Sequence, residues 1–127
     1  MNPVIVVEGK NDRRQLEKVL RPEIAIFCTF GIPSTDRLER LKKKIGQSPL
    51  YIFVDNDAAG RRIRGVLAEA FPDAEHIYTR RGYDGVEGTP LEYLVQQLEK
   101  AGLEEWIRTE YLNEGFLNLG LSPFERR

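Results

Sequence analysis

"YIFVDNDAAGRRIRG", residues 51 to 65, decides how this chain is read: an apolar run, two aspartates one residue apart, a turn of small residues, then three arginines. The apolar part, with Leu50 in front and Val54 behind, shows no alternation, the pattern of a strand buried on both faces. After the turn, Ile63, Val66, Leu67 and Ala70 recur at helical spacing from about Ala58 to Phe71, and Pro72 ends the run. A buried strand therefore feeds a helix, and Asp55 and Asp57 stand at the junction.

The same unit recurs on both sides of this stretch. "PVIVVE" (3–8) is a β-branched strand ending in a charge, and "GKNDRRQLEKVLR" places Leu16, Val19 and Leu20 on one helical face with Asn11 or Asp12 at the capping positions. "IAIFCTF" (24–30) leads through "GIPSTD" to "RLERLKKKIG", where Leu38, Leu41 and Ile45 share a face and Gly46 stops the helix. "HIYT" (76–79) is a fourth, shorter strand; the loop "RRGYDGVEG" and the helix "TPLEYLVQQLEKAG" follow, with Thr89 as N-cap and Pro90 at its first position. A short helix is predicted over "LEEWIRTEYL", and the tail "NEGFLNLGLSPFERR" carries only weak patterning. Strands alternating with helices in this way predict an α/β fold: a parallel sheet of about four strands, right-handed crossovers and helices on both faces.

Composition narrows the function. The chain has 127 residues, 41% hydrophobic and 31% charged, with a formal net charge of −1. This fits one domain over 1–127 with its own core, without a basic arm or an acidic tail. No run reaches the ~18 apolar residues of a membrane span, and "MNPVIVVEGK" lacks the features of a signal peptide, so the expected location is cytoplasmic. With Cys28 and His76 each alone of their kind, disulfides, Cys-rich zinc sites and a Ser-His-Asp triad are disfavoured. Carboxylates, lysine, arginine and hydroxyls remain for chemistry.

In open parallel sheets the ligand crevice lies beyond the carboxyl ends of the strands. That edge collects Glu8, Gly31, Asp55, Asp57 and Thr79. Residues i and i+2 of an extended segment point the same way, roughly 6.5 Å apart, so Asp55 and Asp57 can address one site, with Glu8 opposite if the first and third strands are neighbours. Three carboxylates together repel one another unless a cation joins them, and Mg²⁺, an oxygen-seeking ion that shares its site with phosphates, suits the set. Each acid also has an ordinary use. Asp57 precedes a helix as an N-cap, Glu8 can pair with Lys10 or Arg13, and Asp12 caps the first helix.

Arg61 and Arg62 occupy the first helical turn, where the macrodipole favours acids, so either phosphate or the nearby aspartates must answer them. Arg64, one turn further, is expected on a solvated or ion-paired face. Lys10, Arg80 and Arg81 are further candidates for phosphate contacts at the same edge. His76 reads as an ordinary polar residue and Cys28 as core. Trp106, Tyr111 and Phe116 read as cover for the sheet or as an oligomer contact.

Taken together, Glu8-Gly9-Lys10 after a β-branched strand, Asp12 shortly behind, and Asp55-x-Asp57-x-x-Gly60 after a later strand resemble the Toprim domain, the catalytic module shared by topoisomerases, bacterial primases, OLD-family nucleases, recombination proteins and ribonuclease M5. The resemblance covers about residues 3 to 95. It is closest to the ribonuclease M5 type through "VIVVEGKND", "DNDAAGRRIR" and "GVEG", although this chain is shorter and lacks most of a second domain. It implies a Rossmann-like Toprim fold, Glu8 as general acid or base, and Asp55 and Asp57 as Mg²⁺ ligands, with Mn²⁺ as a substitute. Gly9 and Gly60 would allow the tight strand-to-helix turns, and Glu87 is a further candidate ligand or substrate contact.

The function these features predict is metal-dependent phosphodiester handling, foremost a nuclease acting on RNA or DNA. The alternatives are a non-catalytic Toprim module that binds nucleic acid or protein, and, further off, a phosphoacceptor receiver domain. Expected partners are nucleic acid and, through the C-terminal region 103–127, a protein or a second copy of the chain; no membrane contact is expected.

Overall fold

The computed structural model describes residues 1–80 and 82–114. Arg81 and the tail 115–127, including Phe116, lie outside the described residues. Four strands, β1 (Val4–Val7), β2 (Ala25–Cys28), β3 (Leu50–Phe53) and β4 (Glu75–Ile77), form one sheet in the order β2-β1-β3-β4. Every pairing is parallel, with Val4 opposite both Ala25 and Leu50 and Tyr51 opposite Glu75.

Helices α1 (Lys10–Glu17), α2 (Thr35–Ile45), α3 (Ala58–Ala70) and α4 (Leu91–Lys100) fill the connections. Side chains alternate across a strand, so each apolar run supplies two cores. Ile5, Val7 and Phe53 pack with Leu16 of α1 and with Leu94, Val95 and Leu98 of α4. Val4, Val6, Ile52 and Val54 pack with Leu41 and Ile45 of α2 and with Ile63 and Leu67 of α3. Burial on both faces is why these strands read as continuous apolar runs. This is the α/β architecture expected from the sequence.

Local chemistry sets the helix ends. Ser34 Oγ accepts from the Arg37 N–H at 3.2 Å to start α2, and Gly46, at φ +57°, ends it. Helix α4 departs from expectation: Pro90 is its N-cap, and the Thr89 hydroxyl instead donates to the Gly85 carbonyl at 2.5 Å, closing the preceding loop. The helix expected over 103–112 is split into a 3₁₀ turn (Glu104–Trp106) and a π-turn (Glu110–Glu114). Between them Leu20 bridges Ile107, and the Arg108 N–H donates to the Val19 carbonyl at 2.8 Å. This pairing seats Trp106 and Tyr111 against the face that carries α1 and α4. Among the described residues, no helix is long and apolar enough to cross a membrane.

Candidate functional site

The strand order places the site. From β1 the chain moves to β2 on one side, then returns past β1 to β3 on the other, so the direction of travel reverses between β1 and β3. The crevice of an open parallel sheet forms at that point, beyond the carboxyl ends of the two strands. Glu8 directly follows β1, and Asp55 lies two residues beyond β3.

Asp55 and Asp57 are oriented by different elements. The Asp55 Oδ1 atom accepts from the Val86 N–H at 2.9 Å, a bond spanning 31 residues of sequence. Asp57 is the N-cap of α3, and its Oδ1 accepts from the Gly60 N–H at 2.7 Å. Each therefore spends one carboxylate oxygen on its own placement and leaves the second without a hydrogen bond among the described residues. Both lie beyond the strand, which stops at Phe53, so their orientation comes from loop hydrogen bonds rather than from strand alternation.

Glycines make these approaches feasible. A Cβ on Gly60 would stand 1.7 Å from the Asp55 carbonyl oxygen, so this residue is small because backbone meets backbone there. A Cβ on Gly85, at φ +70°, would stand 2.4 Å from the Asp55 carboxylate. Gly9 differs from expectation. Its backbone is extended, and an added Cβ would meet only Asp12 Oδ2 at 3.8 Å, so the turn itself does not demand glycine.

Asp12 joins the acidic group. At the third position of α1 it accepts the Gly9 N–H at 3.0 Å, capping the helix as expected. Its carboxyl is nevertheless pushed up to about 6, chiefly by burial and further by Asp55, Glu8 and Glu87, against the opposing pull of the Gly9 N–H. Glu8 is also raised, first by burial and then by the negative charges of Asp55 and Asp57. Among the described residues, none of these five carboxylates is ion-paired.

Two adjoining cavities share Asp55. One, of about 500 Å³, is lined by Glu8, Gly9, Lys10, Asn11, Asp12, Phe30, Asp55 and Glu87. The other, of about 480 Å³, runs from Asp55, Asn56 and Asp57 to Thr79, Arg80 and the loop at Tyr83, Asp84 and Gly85. Among the described residues no three acidic, histidine or cysteine side chains are grouped so as to hold a metal ion. The donor set fits Mg²⁺ nonetheless, because that ion is held by one or two carboxylates and completes its shell with water and phosphate oxygens.

The basic candidates separate. Lys10 lines the Glu8 cavity, and Arg80 lines the Asp57 cavity with its guanidinium 4.0 Å from the centre of the Tyr93 ring. Arg61 and Arg62 are exposed on the first turn of α3 and line neither cavity; Arg61 reaches back to the Asn56 carbonyl at 3.3 Å. Gly31 follows β2 at φ +99°. Arg64 corrects the expectation of a solvated side chain, since only 6% of it is exposed. It donates to the carbonyls of Ile52, Val54 and Ile77 at 3.3, 2.8 and 2.5 Å, tying the carboxyl ends of β3 and β4 together beneath the site. It also meets His76 Nδ1 at 3.0 Å; a guanidinium only donates, so that nitrogen accepts and the imidazole is neutral. Burial and the Arg64 charge hold His76 below the usual histidine range, against a smaller pull from Glu75.

Comparison with known proteins agrees with the fold. The Toprim domain matches residues 3–82. A small TOPRIM domain protein from Bacillus stearothermophilus superposes with a TM-score of 0.77 at 35% identity, over 88% of this chain and 93% of that one. The uncharacterized protein YusF of Bacillus subtilis is 35% identical over 81% of this chain and 70% of its own length. Ribonuclease M5 of Lactococcus lactis is 34% identical over 87% of this chain, which spans only 57% of that relative. The match extends across the β1 and β3 ends where the carboxylates gather, and the chain belongs to the Toprim domain family.

Proposed function

We propose that this chain handles phosphodiesters with the aid of Mg²⁺, acting as a nuclease on RNA or DNA. The observation that carries the reading is the group formed by Glu8, Asp12, Asp55, Asp57 and Glu87, five acids without a cationic partner among the described residues at the reversal point of the sheet. Likeness to ribonuclease M5 supports a nucleic-acid substrate, RNA in the first instance. Asp55 and Asp57 would hold the metal through their free oxygens, with Glu8 beside them. When bound, the cation neutralises phosphoryl oxygens and lowers the pKa of an attacking water.

The chain's own residues supply the rest. Glu8, its carboxyl raised by burial and by its acidic neighbours, is suited to take up and return a proton. Lys10 and Arg80, one in each cavity, would hold phosphates on either side of Asp55, and Arg61 and Arg62 extend the positive surface along α3. Calorimetric titration with Mg²⁺ tests the metal: wild type should bind and the Asp55→Asn/Asp57→Asn double variant should not. A panel of structured RNAs and DNAs with Mn²⁺ tests the chemistry, with cleavage expected from wild type and none from Glu8→Gln. Equal Mg²⁺ binding by wild type and double variant, or equal cleavage by wild type and Glu8→Gln, defeats the proposal. A second reading, a Toprim module that binds without cleaving, is favoured by the net charge of −1, which gives little unassisted pull on a polyanion; it predicts metal and nucleic-acid binding with no cleavage by wild type.

A further inference from the structure

Phe30 combines features that core packing does not explain. It sits directly beyond β2 at φ +53°, a conformation that costs a bulky L-residue, yet its side chain is 61% exposed. Its N–H donates to the Glu8 carbonyl at 2.7 Å, which holds its backbone at the edge of the carboxylate cavity that Phe30 lines. The same ring lines a second groove of about 250 Å³ on the other side, formed with Cys28, Thr29, Pro33, Arg37, Arg40, Leu41 and Lys44.

That groove holds three cations and no acid. Arg37 lies 5.6 Å from the Phe30 ring centre and donates to the Thr29 carbonyl, so it is held in place. Arg40 and Lys44 are exposed on successive turns of α2, and neither is ion-paired among the described residues. Thr29, only 1% exposed, also lines the groove, and its buried hydroxyl has no hydrogen-bond partner among the described residues. An exposed ring between an acidic centre and a basic track is the arrangement that binds an unpaired nucleotide, the base stacked and the phosphates paired with cations.

We infer that the α2 groove is a binding track for single-stranded nucleic acid leaving the carboxylate centre, with one base stacked on Phe30 and flanking phosphates held by Arg37, Arg40 and Lys44. The inference rests on the nucleic-acid reading above and adds the path and strandedness of the substrate. It is tested by fluorescence anisotropy of short labelled single-stranded and duplex RNA and DNA in Ca²⁺, across a salt series, with thermal melts to verify that each variant folds.

Phe30→Ala should weaken single-strand binding roughly tenfold, leave duplex binding unchanged and keep the salt slope, while Phe30→Tyr restores affinity. Arg40→Ala/Lys44→Ala should lower the slope of log affinity against log salt by about 1.4, at about 0.7 for each single-strand phosphate that is no longer neutralised. Unchanged affinity and slope in both variants overturns the track while leaving the proposed function standing. Equal weakening of single strand and duplex by Phe30→Ala overturns the stacking and with it the inference. Wild-type protein that binds none of the probes overturns the nucleic-acid reading as well.

Discussion

The approach of Asp55 to the Gly85–Val86 backbone makes the sharpest test of how the site is built. In Gly85→Ala the new Cβ would lie 2.4 to 2.5 Å from three atoms of the Asp55 carboxylate. Alanine at φ +70° also costs about 1–2 kcal/mol in backbone strain. The carboxylate has to yield, because the loop is pinned by the Thr89 hydroxyl on the Gly85 carbonyl and by the burial of Val86. Yielding breaks the 2.9 Å bond to Val86 and leaves that amide unpaired, worth about 1–3 kcal/mol. The substitution should therefore destabilise the chain by about 3 kcal/mol, near 10 °C in melting temperature for a protein of this size.

Urea and thermal melts measure the destabilisation, and Gly102→Ala provides the comparison. Gly102 has φ +85° with open space where a Cβ would go, so its cost is backbone strain alone, about 1–2 kcal/mol. In an Asp55→Ala background Gly85→Ala should cost no more than that, giving a coupling of about 1–2 kcal/mol between the two positions. Gly85→Ala should also abolish Mg²⁺ binding with Asp55 itself intact. If it costs no more than Gly102→Ala and shows no coupling to Asp55, the loop does not position the carboxylate and the account of the site is wrong.

Two further outcomes follow from buried charge. The Asp12 carboxyl, pushed up to about 6 from an ordinary 3.8, holds its proton more tightly in the folded chain, so metal-free protein should lose stability as pH rises from about 4 to 6. Two units correspond to about 3 kcal/mol, which screening of this half-buried group reduces to about 1, so urea midpoints of Asp12→Asn should fall less across that range than wild type's. Arg64→Met should cost about 2–4 kcal/mol by leaving the Ile52, Val54 and Ile77 carbonyls short of a donor, whereas Arg62→Met on the exposed face should stay within about 0.5 kcal/mol in the same melts.

The sheet and its helices were legible because their signals are local. Uninterrupted runs such as "VIVV" announce burial on two faces, and the stripes through Leu16, Leu41, Ile63 and Leu94 announce helices facing them. Glu8 and the two aspartates could be placed on one edge because topology alone sends strand ends there. The loop hydrogen bonds were not legible in the same way. Nothing in "DND" indicates that Asp55 is fixed by an amide 31 residues downstream. The trace in the sequence is the glycine pair in "GVEG", since Gly85 must admit the Asp55 carboxylate and a Cβ on Gly88 would stand 2.6 Å from the Asp84 carbonyl oxygen. By its spacing Asp12 reads as a cap, and it is one; its burial beside Glu8 depends on the cavity and has no signature in spacing.

Arg64 shows where composition misleads and periodicity does not. Grouped by charge, Arg61, Arg62 and Arg64 look like one basic cluster facing an anion. Grouped by helical spacing, Gly60, Ile63, Arg64 and Leu67 fall at i, i+3, i+4 and i+7, the stripe that α3 buries. An arginine on that stripe needs acceptors at its head, and the carboxyl ends of two parallel strands supply backbone carbonyls there. Its charge is then held beneath the site, where burial lowers its pKa and Tyr78 and then Asp55 offset part of that lowering. The basic residue that bears most directly on the acidic site from α3 is thus the one hidden behind it, and Arg61 and Arg62 are left on the exposed surface.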